Sequence, residues 1–385
     1  MSDNTAHFSN WMTLVRKIKG GSPESIPQPI TKPFGGRLMK KLFVFVSLLV
    51  VLSMLAACAP AATPTAAPVE PTTASAPVSE VKTVKVCVSW NEKVHSLIQA
   101  WQDYMQQYGE TYGAENGLKF EWIINVANGD ATQQANNIQD CINQKVDVIV
   151  ARAQDTGTIG ASIDAAKAAG IPFITLDRTS SSGEPTTHVG EDSYLQAQTT
   201  ARAFAQLLKD NGVEGKCIEV QGDLLDSNAV ARHNAYKDVE AETKAWETIA
   251  EVPTEWKAEK FYSGTLNALQ AHPEANCLYV ASDFAFSSVE NALQAVGKLA
   301  PTGDANHIWV AAEDVNPQGY TAMLKKYIDV GTTWEAYDVS VMLVQTIGKI
   351  VKGETVDAKS LIAGRLATPA TVDTLEHLYA KEYTD

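Results

Sequence analysis

Residues 139–178 read QDCINQKVDVIVARAQDTGTIGASIDAAKAAGIPFITLDR. A β-rich apolar run (VDVIVA, 146–151) gives way to a helical stretch over 156–169, and Gly170-Ile171-Pro172 then stops that helix and opens a second β-rich run (IPFITL, 171–176). Glycine ends helices because a left-handed φ costs it nothing, and proline cannot continue one. Strand, helix, strand in so short a span predicts a βαβ unit with parallel strands.

Working outward, the same rhythm covers most of the chain. Upstream lie VKVCVSW (84–90) and KFEWIIN (119–125); downstream lie KCIEVQ (216–221), ETIAEV (247–252), CLYVAS (277–282) and HIWVAA (307–312). Between strands, 131–142 carries Ala131, Ala135, Ile138 and Ile142 at helical spacing, an expected apolar stripe facing a sheet. The rhythm restarts near residue 212. Eight such units exceed one comfortable core, so the expectation is α/β with two similar doubly wound, Rossmann-like lobes and ligands at strand carboxyl ends.

The N-terminus carries a different signal. Met39-Lys40-Lys41 precedes an apolar run, Leu42 to Ala57, broken only by Ser47 and Ser53. A positive start, about 15 apolar residues and small residues at the end describe a signal peptide over 39–57, not a spanning helix of about 20. It ends Leu55-Ala56-Ala57-Cys58, which resembles the bacterial lipobox, and this implies lipidation at Cys58. Residues 1–38 fit poorly ahead of such a signal and read as a misassigned extension, with Met39 the true initiator. Residues 58–80, rich in Pro, Thr and Ala without aromatics, cannot offset their ordering entropy and read as a tether.

The whole sequence has a formal net charge of −14 and no basic stripe, which excludes nucleic acid as the partner. Past Cys58 it holds Cys87, Cys141, Cys217 and Cys277. An even number in an exported chain suits disulfides, and buried free thiols equally well. If bridged, Cys87–Cys141 and Cys217–Cys277 keep each bond within one lobe.

No Gly-x-Ser-x-Gly, P-loop, HExxH or CxxC pair is present, and the seven histidines lack metal-ligand spacing. No cofactor, metal or catalytic centre is expected. Glu313 and Asp314 together resemble a glycosidase acid and base, but adjacent strand residues point to opposite faces. Polar and aromatic residues instead gather just past strand ends: Ser89-Trp90, Asp177-Arg178, Ser282-Asp283, Glu313-Asp314 and Trp334-Glu335, with Arg232 early in the helix after KCIEVQ. Carboxylates and guanidinium groups pair with vicinal hydroxyls, and indole faces meet the C–H patch of a sugar ring.

The run GIPFITLDR (170–178) resembles the strand and Asp-Arg of periplasmic ribose- and galactose-type binding proteins, the type 1 class of ABC-importer receptors. Three further stretches resemble family blocks in the same order: residues 139–172, Arg232-x-x-Ala235-Tyr236, and ALQAHPEANCLYVASD (268–283). The resemblance spans about 81–352. It implies two lobes, 81–190 plus 336–366 and 191–335 plus 367–385, joined by a three-crossing hinge. It implies sugar contacts from Asp177 and Arg178, with Ser89 and Trp90 beside them; from Arg232, Ser282, Asp283 and Asp314 in the second lobe; from Trp256, as a closing aromatic; and from Glu335 at the hinge.

Two departures stand out. Ser282 replaces the usual Asn, and residues 91–96 lack the family's aromatic pair, leaving Trp90 or His95 to substitute. The implied role is an extracytoplasmic, lipid-anchored, monomeric receptor that delivers a sugar to a membrane permease. A ligand sensor reporting to a chemoreceptor or kinase is the alternative. Arg232→Ala is expected to weaken capture without unfolding the chain.

Overall fold

A computed structural model describes residues 81–93 and 96–383. The expected leader (39–57), Cys58, the expected tether (58–80) and His95 lie outside them. Among the described residues, no helix is long and apolar enough to cross a membrane.

The chain forms β1 (Lys82–Trp90), α1 (Ser96–Asn116), β2 (Leu118–Val126), α2 (Ala131–Asn143), β3 (Val148–Ala151), α3 (Ile159–Ala168), β4 (Phe173–Leu176) and β5 (Thr187–Glu191). It continues with α4 (Ser193–Asp210), β6 (Gly215–Gln221), α5 (Ser227–Thr243), β7 (Trp246–Pro253), α6 (Ala258–Ala271), β8 (Cys277–Val280), α7 (Phe286–Ala295), β9 (Trp309–Asp314), α8 (Pro317–Leu324) and β10 (Val330–Thr333). It ends with α9 (Ala336–Val351), β11 (Lys359–Ile362) and β12 (Leu366–Ala367).

Two six-stranded sheets result, in the orders β11-β5-β4-β3-β1-β2 and β12-β10-β9-β8-β6-β7. The first is parallel throughout, and the second is parallel except for its edge strand β12. Parallel sheets must be covered on both faces. Val84, Val86, Val88 and Trp90 of β1 turn toward α1 and α9, while Cys87 turns toward α2 and α3. In the second sheet Ile218 and Val220 pack with Phe261, Phe286 and Val289, whereas Cys217 faces Phe204, Tyr236 and Trp246.

The expected stripe on α2 is rotated. Gln134, Ile138 and Cys141 are its buried residues, and Ala135 is exposed. Gln134 goes inward because its amide donates to Arg152 O (2.8 Å) and accepts from Gln154 N (2.8 Å), satisfying the end of β3. Asp130 caps the helix by accepting from Thr132 N and Gln133 N, worth about 1 kcal/mol. Both disulfides are formed, with Cα separations of 6.1 Å for Cys87–Cys141 and 4.4 Å for Cys217–Cys277.

The chain passes between the sheets three times: from β5 to α4, from β10 to α9, and from β11 to β12. One network joins all three passages. The Glu335 backbone N–H donates to the Glu191 carboxylate, and Arg365 grips Glu335 through Nε (2.6 Å) and a terminal nitrogen (2.7 Å).

Candidate functional site

The carboxyl ends of both sheets face one cavity of about 70 Å³, several times the roughly 10–15 Å³ one water requires. In strand order β4 and β9 occupy matched places, and each is followed or ended by an aspartate, Asp177 and Asp314. Both take a positive φ, 65° and 91°, although neither is glycine. Such backbone costs of order 1–3 kcal/mol and collects where a side chain must be aimed. Both aspartates line the cavity.

Asp177 accepts from Arg152 Nε at 2.5 Å and from Asn228 Nδ2 at 2.8 Å. Arg152, just past β3, is itself held by Asn91 Oδ1 at 2.8 Å. Arg178 lies 2.9 Å from Asp226 Oδ2. Burial and the neighbouring Arg152 push the Arg178 guanidinium below its usual range. Asn228 and Asp226 start α5 of the second lobe, so these two contacts bridge the cleft.

On the other wall Arg232 makes a two-point pair with Asp314, at 2.5 and 3.1 Å, and donates to Gln196 (2.9 Å) and Ala281 O (2.5 Å). Burial opposes its charge, but the carboxylates of Asp314 and Glu313 hold it above the usual range. Ser282 Oγ donates to Asp314 at 2.5 Å. The Arg232 guanidinium lies 5.1 Å from the Trp334 ring centroid, a cation–π contact. Trp256 adds a second indole, its Nε1 donating to Asp226 at 2.9 Å. Glu255 and Trp256 both have left-handed φ, and a Cβ at Gly222 would strike the indole. Glycine at 222 is therefore what lets Trp256 lie there.

Asp177, Arg178, Arg232, Trp256, Ser282 and Asp314 thus come together at the cavity. The other described candidates do not line it. Trp90 is fully buried in the first core, stacked on Trp101 at 6.2 Å, because alternation along β1 gives it the face of Val88. Ser89 is buried on the opposite face. Asp283 turns away to accept from Asn316 N and Nδ2, both at 2.8 Å, which caps the start of α8. Its carboxyl is pushed well up by burial and by nearby Asp314. Glu335 belongs to the hinge network. Glu313 and Asp314 do face opposite ways: Glu313 takes bonds from Tyr279, Thr200 and Thr332 beneath the cavity floor.

Arg152, Asp226, Asn228, Phe284, Asn316 and Trp334 also line the cavity, with Glu92, Leu97 and Ile98 completing it. The strand-end rule that found Asp177 would have found Arg152. Asp226 and Asn228 carried only the signature of a helix cap.

Two sandwiched lobes closing on a polar cavity with indole walls define a solute-binding clamp. The chain belongs to the periplasmic binding protein family, whose domain model matches residues 87–355. It is 25% identical to the ribose import binding protein of Escherichia coli over 242 residues, 63% of this chain and 78% of that one. It is 24% identical to the xylitol-binding protein of Mycolicibacterium smegmatis over 272 residues, 70% and 74% of the two chains. Its fold is similar to a Bacillus halodurans ABC transporter solute-binding protein with bound myo-inositol (TM-score 0.66, 24% identity, covering 78% of this chain and 98% of that one). Another similar fold is the glycerol-bound solute-binding protein of Mycobacterium smegmatis (TM-score 0.67, 22% identity, 76% and 96%). The lobes follow the type 1 plan, and the family is one of extracytoplasmic binding components.

Proposed function

We propose that this protein captures a neutral monosaccharide or polyol between its lobes and delivers it to the permease of an ABC importer. The observation that supports this most is the cavity's charge pattern. Four carboxylates (Glu92, Asp177, Asp226, Asp314) face three guanidinium groups (Arg152, Arg178, Arg232), beside Trp256 and Trp334. Groups already paired with one another offer hydroxyls many acceptors and donors without demanding a charge. The relatives named for ribose and xylitol import fit that chemistry, and favour import over sensing. Closure about the three passages is the signal a permease would read.

A thermal-shift screen of D-ribose, D-apiose, xylitol, myo-inositol, a phosphorylated sugar and an amine tests the ligand class. A neutral member at about 100 times its Kd is expected to add roughly 2.7 kcal/mol. Stabilisation by the phosphorylated sugar alone would refute the reading. We further propose a diacylglyceryl anchor on Cys58, initiation at Met39 and a monomeric receptor. Cys58→Ser is expected to release the protein from membranes, and a precursor peptide spanning residues 34–38 would overturn the proposed start.

A further inference from the structure

The end of the chain is anchored in both lobes at once. After β12, Val372, Leu378 and Ala380 are buried in the second lobe's core. Tyr379, between the last two, faces the other way and is fully buried in the first lobe's cluster with Tyr104 and Val339. Neighbouring residues repeat the link to the first lobe. Tyr104 OH donates to Glu382 at 2.7 Å, Tyr383 meets the Tyr104 ring edge-on at 5.6 Å, and His377 stacks on Tyr337 at 4.3 Å. The Tyr379 hydroxyl donates to the side-chain oxygen of Asn316, a buried second-lobe residue that lines the cavity. Asn316 Nδ2 is committed to Asp283 at 2.8 Å, so both ends of the amide are set by protein partners.

We infer that residues 376–383 form a latch, a side-chain tie between the lobes in addition to the three backbone passages and the cross-cleft bonds of Asp177 and Arg178, with Tyr379 the positioning residue for the Asn316 amide. The three backbone passages can rotate while their covalent links persist. The latch cannot, because Leu378 and Ala380 hold Tyr379 to the second lobe, so separating the lobes must withdraw its ring from the first lobe's aromatic cluster. Contacts present in the closed form alone bias the equilibrium toward it. The latch's effect on capture rests on reading the cavity as the ligand site; its effect on lobe separation does not.

The test uses spin labels at Gln133→Cys and Leu225→Cys, both exposed and at opposite rims of the cleft, in a full chain carrying Cys58→Ser. Without ligand, the native sequence is expected to populate the short distance of the closed form. Tyr379→Phe keeps the ring and loses only the bond to Asn316, which lies within the second lobe and persists on opening, so the closed-to-open ratio is expected to stay within about twofold of the native one. Ending the chain at Leu375 removes the ring as well and is expected to lower it on the order of a hundredfold. For a sugar from the screen, Tyr379→Phe is expected to raise koff about tenfold through the loosened Asn316 amide, with kon nearly unchanged and the urea midpoint lowered. Distance distributions identical across the three chains, or a native chain showing only the long distance, would overturn the latch. Failure of every sugar to bind would refute the transport reading and leave the distances to decide.

Discussion

Asp177 and Asp314 hold matched places in the two sheets and share a left-handed backbone, yet they do opposite jobs. Asp314 is gripped within its own lobe by Arg232 and Ser282, so its half of the cleft is assembled before the lobes meet. Asp177 shares Arg152 with its own lobe and reaches across to Asn228, so part of its bonding exists only on closure. The preceding residue differs in kind as well: Leu176 in the first sheet, the buried acid Glu313 in the second. One wall is a finished socket, and the other is a clasp.

The largest break in this contrast comes from Asp314→Ala. It strands the Arg232 charge in the interior, at an expected loss of about 3–5 kcal/mol in urea denaturation. Asp177→Ala should lose clearly less, because the side chain of Arg152 keeps 11% of its surface in water. Equal losses would erase the distinction. The same logic revises the expectation for Arg232→Ala, which must also destabilise the second lobe, since it leaves Asp314 buried without its partner.

The lobes should also respond to pH with opposite sign. Burial pushes Glu313 up to about 7 from 4.5. The stability held by its neutral form is complete below pH 4.5 and is lost as pH rises through about 7, on the order of 3 kcal/mol. In the first lobe burial, with Lys359 nearby, lowers His188 to about 4 from 6.5. The stability held by its neutral ring is present above pH 6.5 and is lost as pH falls through about 4. The two windows overlap between pH 4.5 and 6.5, where the contributions oppose each other, so Glu313→Gln should leave stability rising with pH across that range under the His188 contribution alone. Denaturation series at stepped pH check this, and an unchanged profile in the variant would be the contrary result.

The smallest effect belongs to the clasp. Asn228→Ala removes one cross-cleft bond, and is expected to weaken sugar affinity about fivefold with little change in melting temperature. A melting shift as large as that of Asp314→Ala would show that Asn228 supports its own lobe instead.

All eight strands expected from β-rich runs are present; β3, β4 and β8 are fully buried apolar segments, while β2 and β7 are half-exposed edges rich in β-branched and aromatic residues. β5 (THVGE) and β11 (KSLI) were not foreseen; neither is a continuous apolar run, and their pairing is set by tertiary packing. At the site, aspartates and arginines directly after strands were legible because chain direction alone puts them at the cleft. Trp90 and Asp283 sat in equally suggestive places, but side-chain alternation and helix capping claimed them. Nothing local distinguishes those uses. Tyr379 was illegible for a further reason: its two partners come from opposite lobes, and only the assembled fold brings them to one tyrosine.

The passage that returns at β11 governs the order in which the molecule can be completed. Thr187, at the start of β5, bonds to Asp357 over a sequence separation of 170 residues. A polypeptide emerging from its N-terminus therefore carries an unfinished first sheet, with the β5 edge unpaired, until nearly all of the second lobe has been made. Such distant closure slows folding and leaves a strand edge open to wrong partners meanwhile. The first part of the molecule to be synthesised is thus among the last to be finished.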